Sequence, residues 1–467
     1  MNLLKSKRVI IFILLIGLVV RLFFFFVLTP WDRQALEQTT EQLHFDAAKY
    51  NSLALSIWKT NSLKDFGVTR TPGYPFLIAF FYYLFGLGGA WLVLIFQIIL
   101  DLITVYLVYL IGKRISSSLW VGPAAAFLYA TSFPTALYSN LLLTEIPFAF
   151  FIILTVWLLI RALGHPQKSF WLLGVSGLTL GIATLIRPLS QYLPIVIILF
   201  WLIVALYQRK IPSTRKTLGR SVGEVAIFLF VFIIVISPWL IRNKNLYGYW
   251  SLSVIGGWNI CAYNASYLKS DIEGISIVEA QEYFKREREG YDNTFAAVDN
   301  CKQKAIKYIL SNLTHYIPLH LKGTLNIFLG VGRADILYLL GKEVPSRDFL
   351  QGNLTTKIIE EIKRSKEQYF LVPILGVRQL LEYLLFLIGV VVLFARPTAK
   401  RAKKNGRNRK LSALLIILFF VYLTILIGPV GYSRFRIPIV PLYLLFSAYG
   451  LIFVISKLRR RLTSPSR

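Results

Sequence analysis

The chain has 467 residues, of which 56% are hydrophobic, and its mean hydropathy of +0.60 excludes an ordinary soluble globular protein. Its 52 lysines and arginines exceed its 23 aspartates and glutamates, which gives a formal net charge of +29. The basic residues sit in alternate loops between apolar runs, and the most basic run, 396–410, has no interleaved aromatic residues, so the excess charge does not indicate a nucleic-acid partner.

Apolar runs long enough to cross the hydrocarbon core of a bilayer, which takes about 20 helical residues, follow one another along the chain. A helix satisfies its own backbone hydrogen bonds in lipid, so each run is interpreted as a membrane span. The predicted spans are 9–28, 90–111, 119–139, 142–160, 170–186, 191–207, 222–241, 371–395, 411–428 and 437–456. Two further apolar runs, 76–85 and 317–340, are short or interrupted and are expected at the interface. The first span is too long for a signal peptide, and no small-residue cleavage site follows it.

The alternation of basic loops obeys the positive-inside rule and predicts a multi-pass protein of the cell membrane with both termini cytoplasmic. On this topology the first loop, 30–75, and the long segment 242–370 lie outside. The expected parts are an N-terminal transmembrane catalytic module 1–241, a mainly helical extracytoplasmic segment 242–370, and a C-terminal transmembrane module 371–467 that contains the basic cytoplasmic loop 396–410.

The first loop carries the most chemical information. Its residues Tyr50, Leu53, Ala54, Ile57 and Trp58 follow the spacing of one helix face, which predicts a short amphipathic helix along the membrane surface. Asp46 then stands at the N-terminus of this helix, where the helix dipole favours a carboxylate. Lys49 lies three residues on, roughly on the same face, and is able to hold an anion beside it.

Several arginines break the orientation rule and fall on the predicted outer side. They are Arg21, Arg70, Arg187, Arg242, Arg434 and Arg436, and by the same topology they share that side with Asp46 and Glu145. Ionisable groups in or against a membrane are costly, so they usually line a cavity, pair, or bind a ligand. The set as a whole predicts one site for a phosphate carried on a lipid.

Other features are weaker. Asp101, in the middle of a span, fits a buried helix–helix hydrogen bond as well as a catalytic role. Helical spacing predicts helices over 276–289, 295–310 and 354–366. Both cysteines, Cys261 and Cys301, lie in the outer segment, where a disulfide is allowed and two buried thiols also fit. The histidines His44, His165, His315 and His320 show no zinc spacing. No metal site is predicted.

The order of motifs resembles a known family. The motifs are Asp-x-x-base-Tyr at 46–50, Arg-x-Pro-Gly-Tyr-Pro at 70–75, Thr-Glu at 144–145, Leu-x-Arg-Pro at 185–188, Pro-Trp-x-x-Arg-Asn at 238–243 and Arg-Phe-Arg-x-Pro at 434–438. This order resembles the GT-C-fold membrane glycosyltransferases, specifically the group of the protein O-mannosyltransferases and lipid A aminoarabinose transferases. The resemblance implies an all-α polytopic fold with about 10–12 transmembrane helices and a small extracytoplasmic cap.

The resemblance also implies an activity. Such enzymes move a sugar from a polyprenyl or dolichyl phosphate to an acceptor, which is a glycan, a lipid or a protein, on the outer face of the membrane. Asp46 matches the catalytic acid of the family's first loop and Glu145 its second acidic position. We expect an inverting displacement with Asp46 as general base and no cofactor; a divalent metal stays open. The candidates to hold the donor phosphate are Lys49, Arg70, Arg187, Arg242, Arg434 and Arg436.

Two other functions remain compatible with the sequence. A polysaccharide polymerase or ligase acting on lipid-linked glycans also has many spans and a long outer loop, and would depend on charges within 271–289. A flippase or transporter of lipid-linked sugars would carry charged pairs at mid-membrane and inverted repeats.

Overall fold

The computed structural model describes residues 3–28, 45–63, 66–209, 218–291, 294–330, 332, 371–395 and 403–463. Those residues fold into helices joined by short turns, and no β-strand occurs among them. The helices are α1 (Leu3–Leu28), α2 (Phe45–Thr60), α3 (Gly73–Phe85), α4 (Gly89–Ile115), α5 (Val121–Ala130), α6 (Phe133–Tyr138), α7 (Glu145–Gly164), α8 (Ser169–Ile186), α9 (Leu193–Arg209), α10 (Leu218–Tyr247), α11 (Ile255–Asn259), α12 (Ser266–Glu273), α13 (Ile277–Arg286), α14 (Thr294–Ser311), α15 (Leu313–Leu329), α16 (Leu371–Ala395), α17 (Lys403–Ile425) and α18 (Val440–Thr463).

Within the described part of the chain, nine helical stretches are long and apolar enough to cross a membrane. They are Lys7–Val27, Gly73–Ile115, Glu145–Gly164, Pro166–Ile186, Pro188–Leu206, Gly219–Tyr247, Ile374–Ala395, Asn408–Ile425 and Ser433–Arg460. The stretch Gly73–Ile115 folds as two helices, α3 and α4, because the chain reverses at Gly86, whose φ of 63° suits glycine. The protein is an integral multi-pass membrane protein, as predicted.

One predicted span is wrong. The run 119–139 does not form a continuous helix but divides into α5 and α6, with Ser132 in an extended conformation between them. Pro134 lies in the first turn of α6. Arg378 of α16 donates hydrogen bonds to the carbonyls of Leu128 and Thr131, so these carbonyls at the C-terminal end of α5 are satisfied. The break is therefore stabilised by a contact made far along the sequence.

A single large hydrophobic core joins helices from both ends of the sequence. Within it, Arg21 of α1 forms a fully buried ion pair with Asp101 of α4 at 2.6 Å, and Tyr129 of α5 donates a hydrogen bond to the same carboxylate. Arg21 also donates to the carbonyls of Gly17 and Ala130. Asp101 is thus a helix–helix hydrogen-bonding residue, which decides between the two interpretations of its position.

The segment after α10 contains a small core of its own. The predicted helices 276–289 and 295–310 are confirmed as α13 and α14, and Ser276 and Glu279 close the start of α13 with a capping box. The predicted helix 354–366 lies outside the described residues. Cys261 and Cys301 form a disulfide, with their Cα atoms 6.1 Å apart. This bond ties α14 to the π-helical turn Ile260–Ala265.

Candidate active site

Asp46 lies in the first turn of α2, the amphipathic helix that the sequence predicts. The apolar face of α2 packs on the core, with Ala54 and Ile57 buried. Tyr82 of α3 donates a hydrogen bond to Asn51, which fastens α2 to the next helix. These contacts fix the N-terminal end of α2, so the carboxylate of Asp46 has a defined position there.

The segment that follows α2 places Arg70 beside the carboxylate of Asp46. Arg70 Nη2 lies 2.7 Å from Asp46 Oδ1. Thr71 donates a hydrogen bond to the Ile186 carbonyl, and Gly73 packs so closely on the end of α8 that a Cβ there would lie 2.7 Å from the carbonyl carbon of Leu185. The turn before α3 is therefore docked on the last turn of α8, which brings Arg70 into the neighbourhood of Arg187.

Glu145 is the first residue of α7, and Arg187 follows the last residue of α8. Arg187 Nη1 lies 3.0 Å from Glu145 Oε1. A carboxylate at a helix N-terminus and a guanidinium at a helix C-terminus are both favoured by the helix dipoles. The Glu145 side chain is only 1% exposed, and its Oε2 atom has no hydrogen-bond partner among the described residues.

Arg434 joins the two carboxylates. It lies in the 3₁₀ helix Ser433–Ile439, which packs against α7. Its Nη2 atom forms a hydrogen-bonded ion pair with Asp46 Oδ2, and its Nε atom lies 3.5 Å from Glu145 Oε1. Asp46 and Glu145, 99 residues apart in the sequence, are thus held at one site by an arginine from the far end of the chain.

The charges at this site do not cancel. Two carboxylates, Asp46 and Glu145, face three guanidinium groups, from Arg70, Arg187 and Arg434, which leaves one net positive charge. The three arginine side chains are 12–16% exposed and Asp46 is 23% exposed, so the site is recessed but open to solvent. A recessed site with excess guanidinium charge is suited to a phosphate.

Lys49 adds a further cation on the exposed side of α2. Desolvation of its amine lowers the pKa of Lys49 below the ordinary lysine value; Arg70 lowers it further, and Asp46 acts in the opposite direction. At the amine of Lys49 the charge of Arg70 therefore outweighs that of Asp46.

Two aromatic residues complete the site, and the sequence analysis assigned neither of them a role there. Burial raises the pKa of Tyr50, while Arg70 and Arg187 oppose that shift, so its ring lies among the charged groups; Arg70 also lies over this ring at 5.7 Å. Phe435 lies beneath two guanidinium groups, with Arg187 at 5.7 Å and Arg434 at 5.3 Å. The motif Arg434-Phe435-Arg436 was the available signal for Phe435, and the motif Asp46-x-x-base-Tyr50 for Tyr50.

Three of the six arginines that break the orientation rule do not lie at this site. Arg21 is paired with Asp101 in the core. Arg242 donates hydrogen bonds to the carbonyls of Leu63 and Gly67 and stacks on Trp239 at 4.4 Å. Arg436 is buried and donates to Tyr383 and to the carbonyls of Ile327 and Phe328. Of the six arginines expected at one outer cavity, only Arg70, Arg187 and Arg434 lie beside Asp46 and Glu145.

No group of three or more histidine, cysteine, aspartate or glutamate side chains stands close enough to hold a metal in the portion of the chain that the structure describes. The two carboxylates of the site are engaged by guanidinium groups instead.

Comparison with known proteins shows what part of this chain is similar to. Residues 69–241 match the family model described as dolichyl-phosphate-mannose-protein mannosyltransferase, which covers Arg70, Glu145 and Arg187. The search of curated protein sequences produced no match.

Among solved structures, the oligosaccharyltransferase AglB from Archaeoglobus fulgidus, in complex with an inhibitory peptide and a dolichol-phosphate, matches 99% of this chain and 52% of its own, with 14% identity and a TM-score of 0.53. The apo form of the oligosaccharyltransferase from the same organism matches 98% and 51%, with 16% identity and a TM-score of 0.54. ArnT from Cupriavidus metallidurans bound to undecaprenyl phosphate matches 95% and 77%, with 14% identity and a TM-score of 0.35.

The two archaeal structures share their fold with this chain. The chain spans about half the length of the archaeal oligosaccharyltransferase structures that it matches. It has the GT-C fold of membrane glycosyltransferases, and the resemblance to that group drawn from the sequence motifs is confirmed.

Proposed function

We propose that this protein transfers a sugar from a polyprenyl- or dolichyl-phosphate-linked donor to a hydroxyl group of an acceptor. The observation that carries the proposal is the bridge from Asp46 through Arg434 to Glu145, in a recessed site with a net positive charge. Two carboxylates supply acid–base and sugar-binding groups, and the excess guanidinium charge matches the phosphate of the donor.

Asp46 acts as the general base in this proposal. It accepts the proton of the acceptor hydroxyl while the acceptor oxygen forms a bond to the anomeric carbon of the sugar. The bond between that carbon and the phosphate oxygen breaks, and its electron pair leaves with the phosphate, so the configuration at the anomeric carbon is inverted. General-base catalysis contributes about 10²–10⁴-fold, and the positioning of donor and acceptor supplies much of the rest.

The leaving phosphate gains negative charge as the bond breaks, and the guanidinium groups of Arg70, Arg187 and Arg434 stabilise that charge. Because Arg70 and Arg434 are also the partners of Asp46, a donor phosphate competes with the carboxylate for them. Binding of the donor then weakens the ion pairs of Asp46 and makes it a stronger base. Glu145 Oε2, which lacks a hydrogen-bond partner in the described structure, accepts a hydrogen bond from a sugar hydroxyl.

We infer that the site faces the extracytoplasmic side. The basic segments of the chain lie at the opposite ends of the helices that carry the site, which is the arrangement expected from the positive-inside rule. An open face toward the outer leaflet allows the polyprenyl chain to stay in lipid while its phosphate reaches Arg434.

The proposal is tested with the full chain in membranes. The lipid that copurifies with the protein is identified by mass spectrometry, and its head group names the donor for a transfer assay that follows the new glycosidic bond. We expect Asp46→Asn to lower transfer by about 10²–10⁴-fold. The matched control is Asp271→Asn, an exposed carboxylate of α12, which should leave transfer unchanged.

Three results would overturn this assignment. Full transfer by Asp46→Asn would remove the base. Loss of transfer in Asp271→Asn with Asp46→Asn unaffected would favour a polymerase or ligase that uses the outer segment. Translocation of the lipid-linked sugar without a new glycosidic bond would indicate a transporter.

A further inference from the structure

Among the described residues at the end of the molecule opposite the Asp46 site, basic residues outnumber acidic ones. Helix α7 starts at Glu145 in the site and ends at Gly164, roughly 30 Å away at 1.5 Å per residue. The six sequence segments to which these basic residues belong hold roughly half of the 52 lysines and arginines and not one aspartate or glutamate. These segments are 1–9, 113–120, 161–169, 209–220, 396–410 and 457–467.

Three arginines from three separate helices converge at this end. The Arg114 guanidinium, at the end of α4, lies against the last turn of α7, where a Cβ on Gly164 would lie 1.6 Å from Arg114 Nη2. Arg161 is on that same last turn of α7. Helix α17 packs against both α4 and α7, and Arg114 is repelled electrostatically by both Arg161 and Arg409 of α17.

His165, which follows α7, senses the same positive field. The pKa of His165 is lowered mainly by desolvation of its imidazole. The positive charges of Arg161, Arg114 and Lys168 lower this pKa further. No acidic group contributes to this shift. The field at this end is therefore one of concentrated positive charge.

Among the described residues, no carboxylate forms an ion pair with Arg114, Arg161 or Arg409. Glu224 of α10 is the carboxylate nearest to this end in the sequence, and it is fully buried; Ser169, Trp201 and Arg220 already hydrogen-bond to it. The six basic segments named above contain no acidic residue in their sequence. An anion from outside the chain would therefore supply a counter-charge that the described residues do not supply.

We propose that Arg114, Arg161 and Arg409 bind the phosphodiester head group of an anionic phospholipid in the adjoining leaflet. The three arginines stand at the ends of membrane-spanning helices, which is the depth of lipid head groups, and basic pockets between such helices bind anionic lipids. Arg161 stacks on Trp157 at 5.1 Å, and tryptophan is enriched at the membrane interface. Exposed apolar residues Ile99, Ile103 and Tyr106 follow one face of α4 toward this end and provide a surface for an acyl chain.

The bound head group has a structural consequence. Without it, like charges oppose the packing of α17 on α4 and α7; with it, the lipid phosphate links the C-terminal part of the chain to the N-terminal part. This site is independent of the proposed sugar transfer, because it lies at the other end of α7 from Glu145.

The test compares lipid retention by the full chain in detergent, measured by native mass spectrometry with phosphatidylglycerol and phosphatidylcholine in equal parts. We expect the wild-type chain to retain phosphatidylglycerol in preference to phosphatidylcholine. The triple variant Arg114→Gln, Arg161→Gln, Arg409→Gln should lose this retention at least about tenfold, because it removes the three guanidinium groups that contact the head group. The control variant Lys457→Gln, Arg459→Gln, Arg460→Gln removes the same charge from exposed residues at the same end and should retain the lipid.

Three outcomes overturn the proposal: equal retention in the triple variant and the wild type, an equal loss in the control variant, and displacement of the lipid by millimolar inorganic phosphate, which would indicate a site for a soluble anion. If the triple variant does not fold, the single variant Arg409→Gln is measured instead. We expect about a fivefold loss from it, and no loss would overturn the proposal in the same way.

Discussion

Arg434 and Asp46, which are 388 residues apart in the sequence, form a hydrogen-bonded ion pair at the ends of two helical segments. The same guanidinium also faces Glu145. One cation therefore contacts both carboxylates. Arg436, only two residues further along, contacts Tyr383 instead.

The position of Arg434 between the two carboxylates predicts that its substitution and that of Arg242 have different effects, although both arginines were candidates to hold the donor phosphate. Arg434→Gln removes a group that stabilises charge on the leaving phosphate, and we expect kcat to fall about 10²–10³-fold. Arg242→Gln removes hydrogen bonds to the carbonyls of Leu63 and Gly67, so it should lower the thermal unfolding temperature and leave kcat of the folded protein close to wild type. Steady-state transfer assays together with thermal unfolding distinguish the two. A fall in kcat for Arg242→Gln equal to that for Arg434→Gln would contradict the separation.

The buried pair Arg21–Asp101 gives a second prediction. Breaking a buried ion pair by removing one partner costs about 3–5 kcal/mol, because the other charge stays buried and unpaired. We expect Asp101→Asn to lower the free energy of unfolding by that amount, while the remaining folded protein keeps its transfer activity. The measurement is thermal or denaturant unfolding in detergent, with activity normalised to folded protein. Loss of activity without loss of stability would restore Asp101 as a catalytic candidate.

Gly73 tests how the turn before α3 positions Arg70. In Gly73→Ala the new Cβ would meet the backbone of Leu185 and Ile186 at 2.7–2.9 Å, so the turn must shift. Overpacking of this kind costs about 1–3 kcal/mol, and it moves Arg70 relative to Asp46. We expect lower stability and a lower kcat.

The matched control for Gly73→Ala is Gly88→Ala. A Cβ at Gly88 would have nothing within 4 Å, and the φ of Gly88, −60°, suits any residue. This variant should behave as wild type in both unfolding and transfer. Equal defects in the two variants would show that the docking of Gly73 on α8 does not position the site.

Much of the site was predictable from the sequence because charge in a membrane is costly. That rule selected six arginines, and the structure brings three of them, Arg70, Arg187 and Arg434, together with the carboxylates of Asp46 and Glu145. The apolar spacing in the first loop likewise predicted α2 and the position of Asp46 at its N-terminus.

The remaining choices depended on contacts that sequence spacing does not encode. Arg434 and Arg436 occur in one motif, but a 3₁₀ helix rotates by about 120° per residue, so the two side chains leave on different sides. Sequence spacing does not indicate that Arg21 and Asp101 are partners, because they pair only through the packing of helix α1 on helix α4. The break between α5 and α6 depends on Arg378, 247 residues away from Thr131.

Lys49 provides a prediction for the pH dependence of transfer. Desolvation and Arg70 lower its pKa, so the amine loses its proton at a lower pH than an ordinary lysine does. If the protonated amine binds the donor phosphate, transfer falls as the pH rises through this lowered pKa, and the fall should appear first as a higher KM for the donor. Lys49→Arg keeps its charge throughout this range and should extend the activity of the enzyme to higher pH. The check is a pH profile of kcat/KM for wild type and Lys49→Arg; identical alkaline limbs would show that Lys49 does not contact the donor phosphate.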